Sequence, residues 1–116
     1  MSAGRRLLYH LVPPAVWART ENPLYRAASL ETEGFIHCSY REQVAWVANQ
    51  LYAAEPELML LTIDPNRLIS PVRDEDPGTG ELFPHVYGPI PAAAVVAIDR
   101  MSRDPEGRWQ LPESVR

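Results

Sequence analysis

Three histidines carry most of the chemical potential of this chain, and each sits in its own cluster of functional residues. His10 follows Tyr9 in a short apolar run. His37 lies within Gly34-Phe35-Ile36-His37-Cys38-Ser39, next to the only cysteine. His85 lies within Glu81-Leu82-Phe83-Pro84-His85-Val86-Tyr87-Gly88-Pro89. Imidazole suits proton transfer near neutral pH, and it also ligates transition metals. Three such clusters in otherwise ordinary scaffold point to one composite ligand site.

Side-chain alternation sorts the candidates. In an extended Phe35 to Cys38, Phe35 and His37 share one face while Ile36 and Cys38 share the other. A cysteine–histidine nucleophile needs the thiolate within hydrogen-bond reach of an imidazole. His37 points the wrong way for that, so Cys38 and Ile36 read as core. Ser39 is placed to cap a helix, whose N-terminus can also hold an anionic group. Glu81 offers a carboxylate base or ribose ligand, His85 a proton carrier, and Tyr87 a ring to stack on. His10 can bond a ribose hydroxyl or an amide. No two histidines have a ligand-type spacing, so no metal is expected. Phosphate-binding glycine loops, dinucleotide fingerprints and serine elbows are absent.

The elements that must position these residues are short. Leu7 to Val12 reads as a strand stopped by Pro13-Pro14, with Pro14 opening a brief helix through Trp17 and Arg19. Glu21-Asn22-Pro23 ends that helix, and Leu24 to Ala27 extends briefly. Ser29 to Gly34 predicts a helical turn closed by glycine. After the strand at Phe35 to Cys38, Ser39 and Glu42 have capping-box spacing. The helix they start places Tyr40, Val44, Val47 and Leu51 on one stripe. Leu58 to Ile63, a run apolar at every position but Thr62 between Pro56 and Asp64-Pro65, predicts a central strand buried on both faces. Asn66 to Ile69 is a turn and Pro71 to Asp74 a short strand. Asp74 to Pro84, with Gly78, Gly80 and two prolines, predicts a mobile loop. Val95 to Met101 and Arg108 to Leu111 read as strands about a turn at Asp104 to Gly107. Many short strands and one main helix make an α+β fold.

Composition bounds the rest. The 116 residues fit a single domain spanning the whole sequence, and 46% hydrophobic content supplies a core without staples. One cysteine excludes an internal disulfide and favours a reducing compartment. The net charge of −4 gives nucleic acid no bulk attraction. All 11 basic residues are arginine, so no lysine can form a Schiff base. No apolar run is long enough for a signal peptide core or a membrane span, and a cytoplasmic location is expected.

Taken together, Tyr9-His10-Leu11, the run from Ser29 to Ser39 and the run from Glu81 to Pro89 resemble an uncharacterised bacterial family, domain of unknown function 952. The helix after Ser39 and the strands at Leu58 to Asp64 and from Val95 extend the resemblance over nearly the whole chain. That family is similar in fold to the ADP-ribosyltransferase superfamily. The resemblance implies an ADP-ribosyltransferase-like α+β fold, two small, mostly antiparallel sheets around a cleft, with the main helix after Ser39. It also implies a nucleotide ligand, with NAD as a substrate. His10 matches a ribose-contacting histidine, and His37 stands where relatives carry a nicotinamide-packing tyrosine. Glu81 lies in the region of the catalytic glutamate without clearly matching it. The expected binding residues are therefore His10, Ser39 and Tyr87, and the expected catalytic residues His37, His85 and Glu81. Two functions follow: an NAD- or ADP-ribose-utilising enzyme, or a ligand- or protein-binding module on the same fold without transferase chemistry. A metal- or cysteine-dependent hydrolase is a third.

Overall fold

The computed structural model describes residues 5–20 and 23–115. Strand β1 (Leu8–Val12) leads into helix α1 (Pro14–Ala18), then β2 (Leu24–Tyr25), α2 (Ala28–Glu33) and β3 (Ile36–His37). Helix α3 (Val44–Leu51) follows a single 3-10 turn at Arg41–Gln43. Then come β4 (Met59–Ile63), β5 (Val72–Glu75), β6 (Phe83–Val86) and β7 (Ile90–Pro91). The last strands are β8 (Val95–Arg100), β9 (Ser102–Arg103) and β10 (Trp109–Gln110). The expected end of α1 at Glu21-Asn22 lies outside the described residues.

Two three-stranded antiparallel sheets dominate, ordered β1-β4-β8 and β3-β6-β5. Helices and small antiparallel sheets together make this an α+β fold. Central strand β4 is buried at every position, which is why its sequence, Thr62 apart, is apolar rather than alternating. The first sheet separates two apolar layers. Leu8 and Val12 of β1 join Leu61, Ile63, Ile36 and Val86 in one. Tyr9 and Leu11 point the other way and join Leu60, Val44, Ala48 and Trp109 in the second. Burying each of these large side chains contributes about 1.5–3 kcal/mol. A backbone bridge stitches the sheets, with Tyr9 and Ser39 exchanging bonds of 2.8 and 2.7 Å.

Several local expectations shift. Ser39 is not the helix cap, because its backbone is spent on the bridge to Tyr9. The cap moves to Tyr40, whose N–H donates to the Gln43 side chain at 2.9 Å. Glu42, expected to complete the box with Ser39, pairs with Arg6 instead. Leu51, expected in the buried stripe of α3, is 72% exposed, and Ala48 takes its place in the core. The loop expected from Asp74 to Pro84 is shorter, since β5 runs on to Glu75 and β6 begins at Phe83. Asp76 ties this loop by accepting from the N–H groups of Gly78, Thr79 and Gly80 at 2.8 to 3.1 Å. The strand after the Asp104 turn pairs with Ser102–Arg103 rather than with β8. Gly34 does close α2 in the left-handed region, at φ 89°. Among the described residues no helix is long and apolar enough to cross a membrane.

Candidate functional site

The site is built on one face of the β3-β6-β5 sheet. Register pairs His37 with His85, Arg73 with His85, and Glu75 with Phe83. Directly opposed residues project to the same side of a sheet, and the side alternates with each residue. His37, His85, Arg73, Glu75 and Phe83 therefore share a face. Ile36, Val86 and Val72 occupy the other and pack in the first apolar layer. Burial of that second face anchors the register, because a one-residue slip would exchange the two sets.

His85 is the centre of the polar face. Its side chain is 3% exposed, and its Nδ1 lies 2.9 Å from Glu75 Oε1. The same oxygen accepts the Tyr87 hydroxyl at 2.6 Å. The Tyr87 hydroxyl first, and the His85 imidazole second, hold the Glu75 carboxyl below the usual carboxylate range. An ionised carboxylate only accepts, so Nδ1 carries a proton, and in the neutral imidazole Nε2 then presents a lone pair. Nε2 is buried and has no hydrogen-bond partner among the described residues. Phe35 stacks on the ring at 4.0 Å and 15° between planes, fixing its orientation. A histidine held by a carboxylate at one nitrogen and free at the other is set up as a general base.

His85 lines a cleft of about 290 Å³ between the two sheets, α3 and the loop after β5. His37 lines it too, with its ring 5.2 Å from that of His85. Unlike His85 it is half exposed, and its Nε2 meets the Glu33 carboxylate at 3.1 Å. The remaining walls are mostly apolar, with Tyr9 and Leu11 from β1, Trp46 and Val47 from α3, and Phe83 from β6. Ser39 also contributes to the wall.

The three histidines do not form one site. His10 faces away from the cleft into the first apolar layer. Its Nδ1 donates to the His37 carbonyl oxygen at 2.7 Å, and its Nε2 accepts from the Tyr25 hydroxyl at 2.9 Å. Both ring nitrogens are engaged, and burial lowers its pKa to about 4, keeping it neutral. His10 therefore positions the backbone of β3 rather than reaching a ligand. Glu81 is exposed and turned toward Gln43, whose side-chain amide donates to it at 2.8 Å. It is not part of the cleft wall. Tyr87 stands beside the site, with its hydroxyl committed to Glu75 and the Arg73 guanidinium 4.9 Å above its ring. Cys38 is buried, and burial pushes its thiol up to about 12, which removes it as a nucleophile at neutral pH.

Sequence reasoning missed Glu75, the carboxylate that orients His85, and the wall residue Trp46. Glu75 was discoverable as the alternate residue to Arg73 on a strand whose hairpin partner carries His85. That required the hairpin register, which the glycine-rich loop between them obscures.

A family described as Protein of unknown function (DUF952) matches residues 11–98. Among solved structures, the X-ray structure of protein CC0527 from Caulobacter crescentus is 27% identical, with a TM-score of 0.81. That alignment covers 94% of this chain and 97% of that one. The solution NMR structure of CC0527 is 28% identical over 90% of this chain and 92% of that one, with a TM-score of 0.73. No curated protein matches.

Proposed function

The chain belongs to the DUF952 family of proteins of unknown function, and from that premise we propose that it is an enzyme whose cleft binds a small ligand, with His85 as general base. The observation that carries the reading is the buried, unpartnered Nε2 of a histidine whose Nδ1 is held by Glu75. A buried polar atom without a partner is costly, and such atoms concentrate where a ligand supplies the missing bond. In the proposed step, Nε2 removes a proton from a donor on the ligand. The ligand's X–H bond breaks, an N–H bond forms, and the Glu75 carboxylate stabilises the resulting imidazolium. His85 then returns the proton to the leaving or rearranged group. His37, with Glu33 beside it, is the second proton carrier at the mouth.

An NAD- or ADP-ribose-type nucleotide is the ligand implied by the likeness to ADP-ribosyltransferases. Aromatic walls at Tyr9, Trp46 and Phe83 suit a ring of nicotinamide size. The rest of the dinucleotide does not fit. No arginine is among the described residues lining the cleft, so the diphosphate lacks a charged partner. His10, the implied ribose contact, has both nitrogens engaged elsewhere. No step through NAD is derived for that reason.

The test is hydrolysis of 4-nitrophenyl acetate, an activated ester that needs little more than a positioned base. The His85→Gln variant should lose about 100-fold of the rate above buffer. Glu75→Gln should lose less, because it removes orientation and charge but keeps the imidazole. Equal rates for wild type and His85→Gln would overturn the reading. Ligand binding without turnover in this assay would favour the alternative, a binding module on the same fold. Calorimetry with NAD and ADP-ribose, followed by a nicotinamide-release assay, tests the nucleotide separately.

A further inference from the structure

Resting on the reading of His85 as the base of the cleft, we infer that the ligand is a flat, uncharged aromatic molecule that carries an N–H or O–H donor. Three observations converge on this class. First, with Nδ1 bonded to the Glu75 carboxylate, Nε2 of the neutral imidazole is an acceptor, buried without a partner among the described residues, and a ligand donor satisfies it. A ligand lacking that donor would leave the acceptor desolvated and unpaired, which is the stronger form of discrimination. Second, the walls are aromatic and aliphatic. Trp46 and Phe83 lie with ring centroids 6.4 Å apart and planes 32° from parallel, and Tyr9, Leu11 and Val47 complete the apolar lining. A volume of about 290 Å³ lies at the small end of ligand sites and suits one or two fused rings. Third, the described cleft wall offers an anionic ligand no basic side chain other than the two histidines. Both histidines are held by carboxylates, Glu75 on His85 and Glu33 on His37. With no arginine among the described lining residues, and Arg73 engaged over the Tyr87 ring beside Glu75, a phosphate or carboxylate on the ligand would be desolvated next to two carboxylates without a basic partner in the wall.

Three probes of similar shape separate these causes: indole, 1-methylindole and indole-2-carboxylate. Binding to the wild-type protein is followed by amide shifts of cleft residues and by the side-chain nitrogen resonances of His85. Trp46 is half exposed at the wall, and its indole resonance reports occupation of the cleft directly. Indole should bind and shift Nε2 of His85. The methylated probe, with its donor blocked, should bind at least about ten-fold more weakly. The carboxylate should also bind at least about ten-fold more weakly than indole, and more weakly still at low salt. Equal or tighter binding of either analogue would overturn the inference while leaving His85 as the base. Failure of all three to perturb the cleft at millimolar concentration would overturn it as well. The ester assay judges the base independently, so the failure of one proposal is not read as failure of the other.

Discussion

Replacing His10 with glutamine should remove most of the pH dependence of stability between pH 7 and pH 5. His10 is buried neutral, with a pKa lowered to about 4 from an ordinary value of 6.5. Above 6.5 both folded and unfolded chains carry a neutral imidazole, and the shift has no effect. As pH falls below 6.5 the unfolded chain takes up a proton that the folded chain refuses until about 4. Stability is therefore lost as pH falls through this window. Linkage puts the loss between pH 7 and pH 5 at about 2 kcal/mol. Carboxylates contribute little in this interval, because even unfolded ones are almost fully ionised there. Glutamine keeps a donor for the His37 carbonyl and an acceptor for the Tyr25 hydroxyl but does not titrate. The variant should be less stable than wild type at pH 7 by about 1–3 kcal/mol from imperfect hydrogen bonds. Its urea midpoint should then change far less between the two pH values than that of wild type. The assay is equilibrium urea unfolding of both proteins at each pH, with the denaturant slope checked for constancy. If the two proteins lose the same stability within about 0.5 kcal/mol, His10 is not the buried neutral group described, and its positioning role for β3 falls with it.

Three further outcomes follow from the same structure. An added Cβ at Gly88 would lie 2.0 Å from Ser70 Oγ and 2.7 Å from Ser70 Cβ. Gly88→Ala should therefore lower the unfolding free energy by about 1–3 kcal/mol, and Ser70→Gly in the same chain should restore much of it. Tyr87→Phe removes the strongest influence depressing the Glu75 carboxyl, so that carboxyl should titrate at higher pH. Carbon-detected NMR reads this shift, and an unchanged titration would show that the Tyr87 hydroxyl bond is not formed. By the same linkage, Glu75 stabilises the fold above the ordinary carboxylate pKa and loses that contribution as pH falls through its lowered value. Cys38, buried and shifted up to about 12, should resist iodoacetamide at pH 8 in the native protein and react once urea unfolds it. Rapid native alkylation would contradict the packing of β3.

The sequence by itself determined the parts governed by local rules. The run at Leu58 to Ile63, apolar at every position but Thr62, declared a strand buried on both faces, and β4 is that strand. Gly34 declared a left-handed helix end, and alternation in Phe35 to Cys38 separated His37 from Cys38. The clusters around His37 and His85 also stood out, because imidazole, glycine and aromatic residues rarely gather without a ligand or a turn to serve.

Tertiary structure decided which of those groups meet. Both faces of β1 are buried, so period-two alternation could not tell whether Tyr9 or His10 looks into the cleft, and it is Tyr9. The choice between Glu75 and Glu81 was likewise beyond local rules. It depends on the pairing of β5 with β6 across a loop whose register is set by the burial of Val72 and Val86 on the far face. That single register places the Glu75 carboxylate against Nδ1 of His85 and leaves Nε2 buried and unpartnered. Cross-strand geometry, rather than the identity of any one residue, made a histidine that sequence could only nominate into a candidate base.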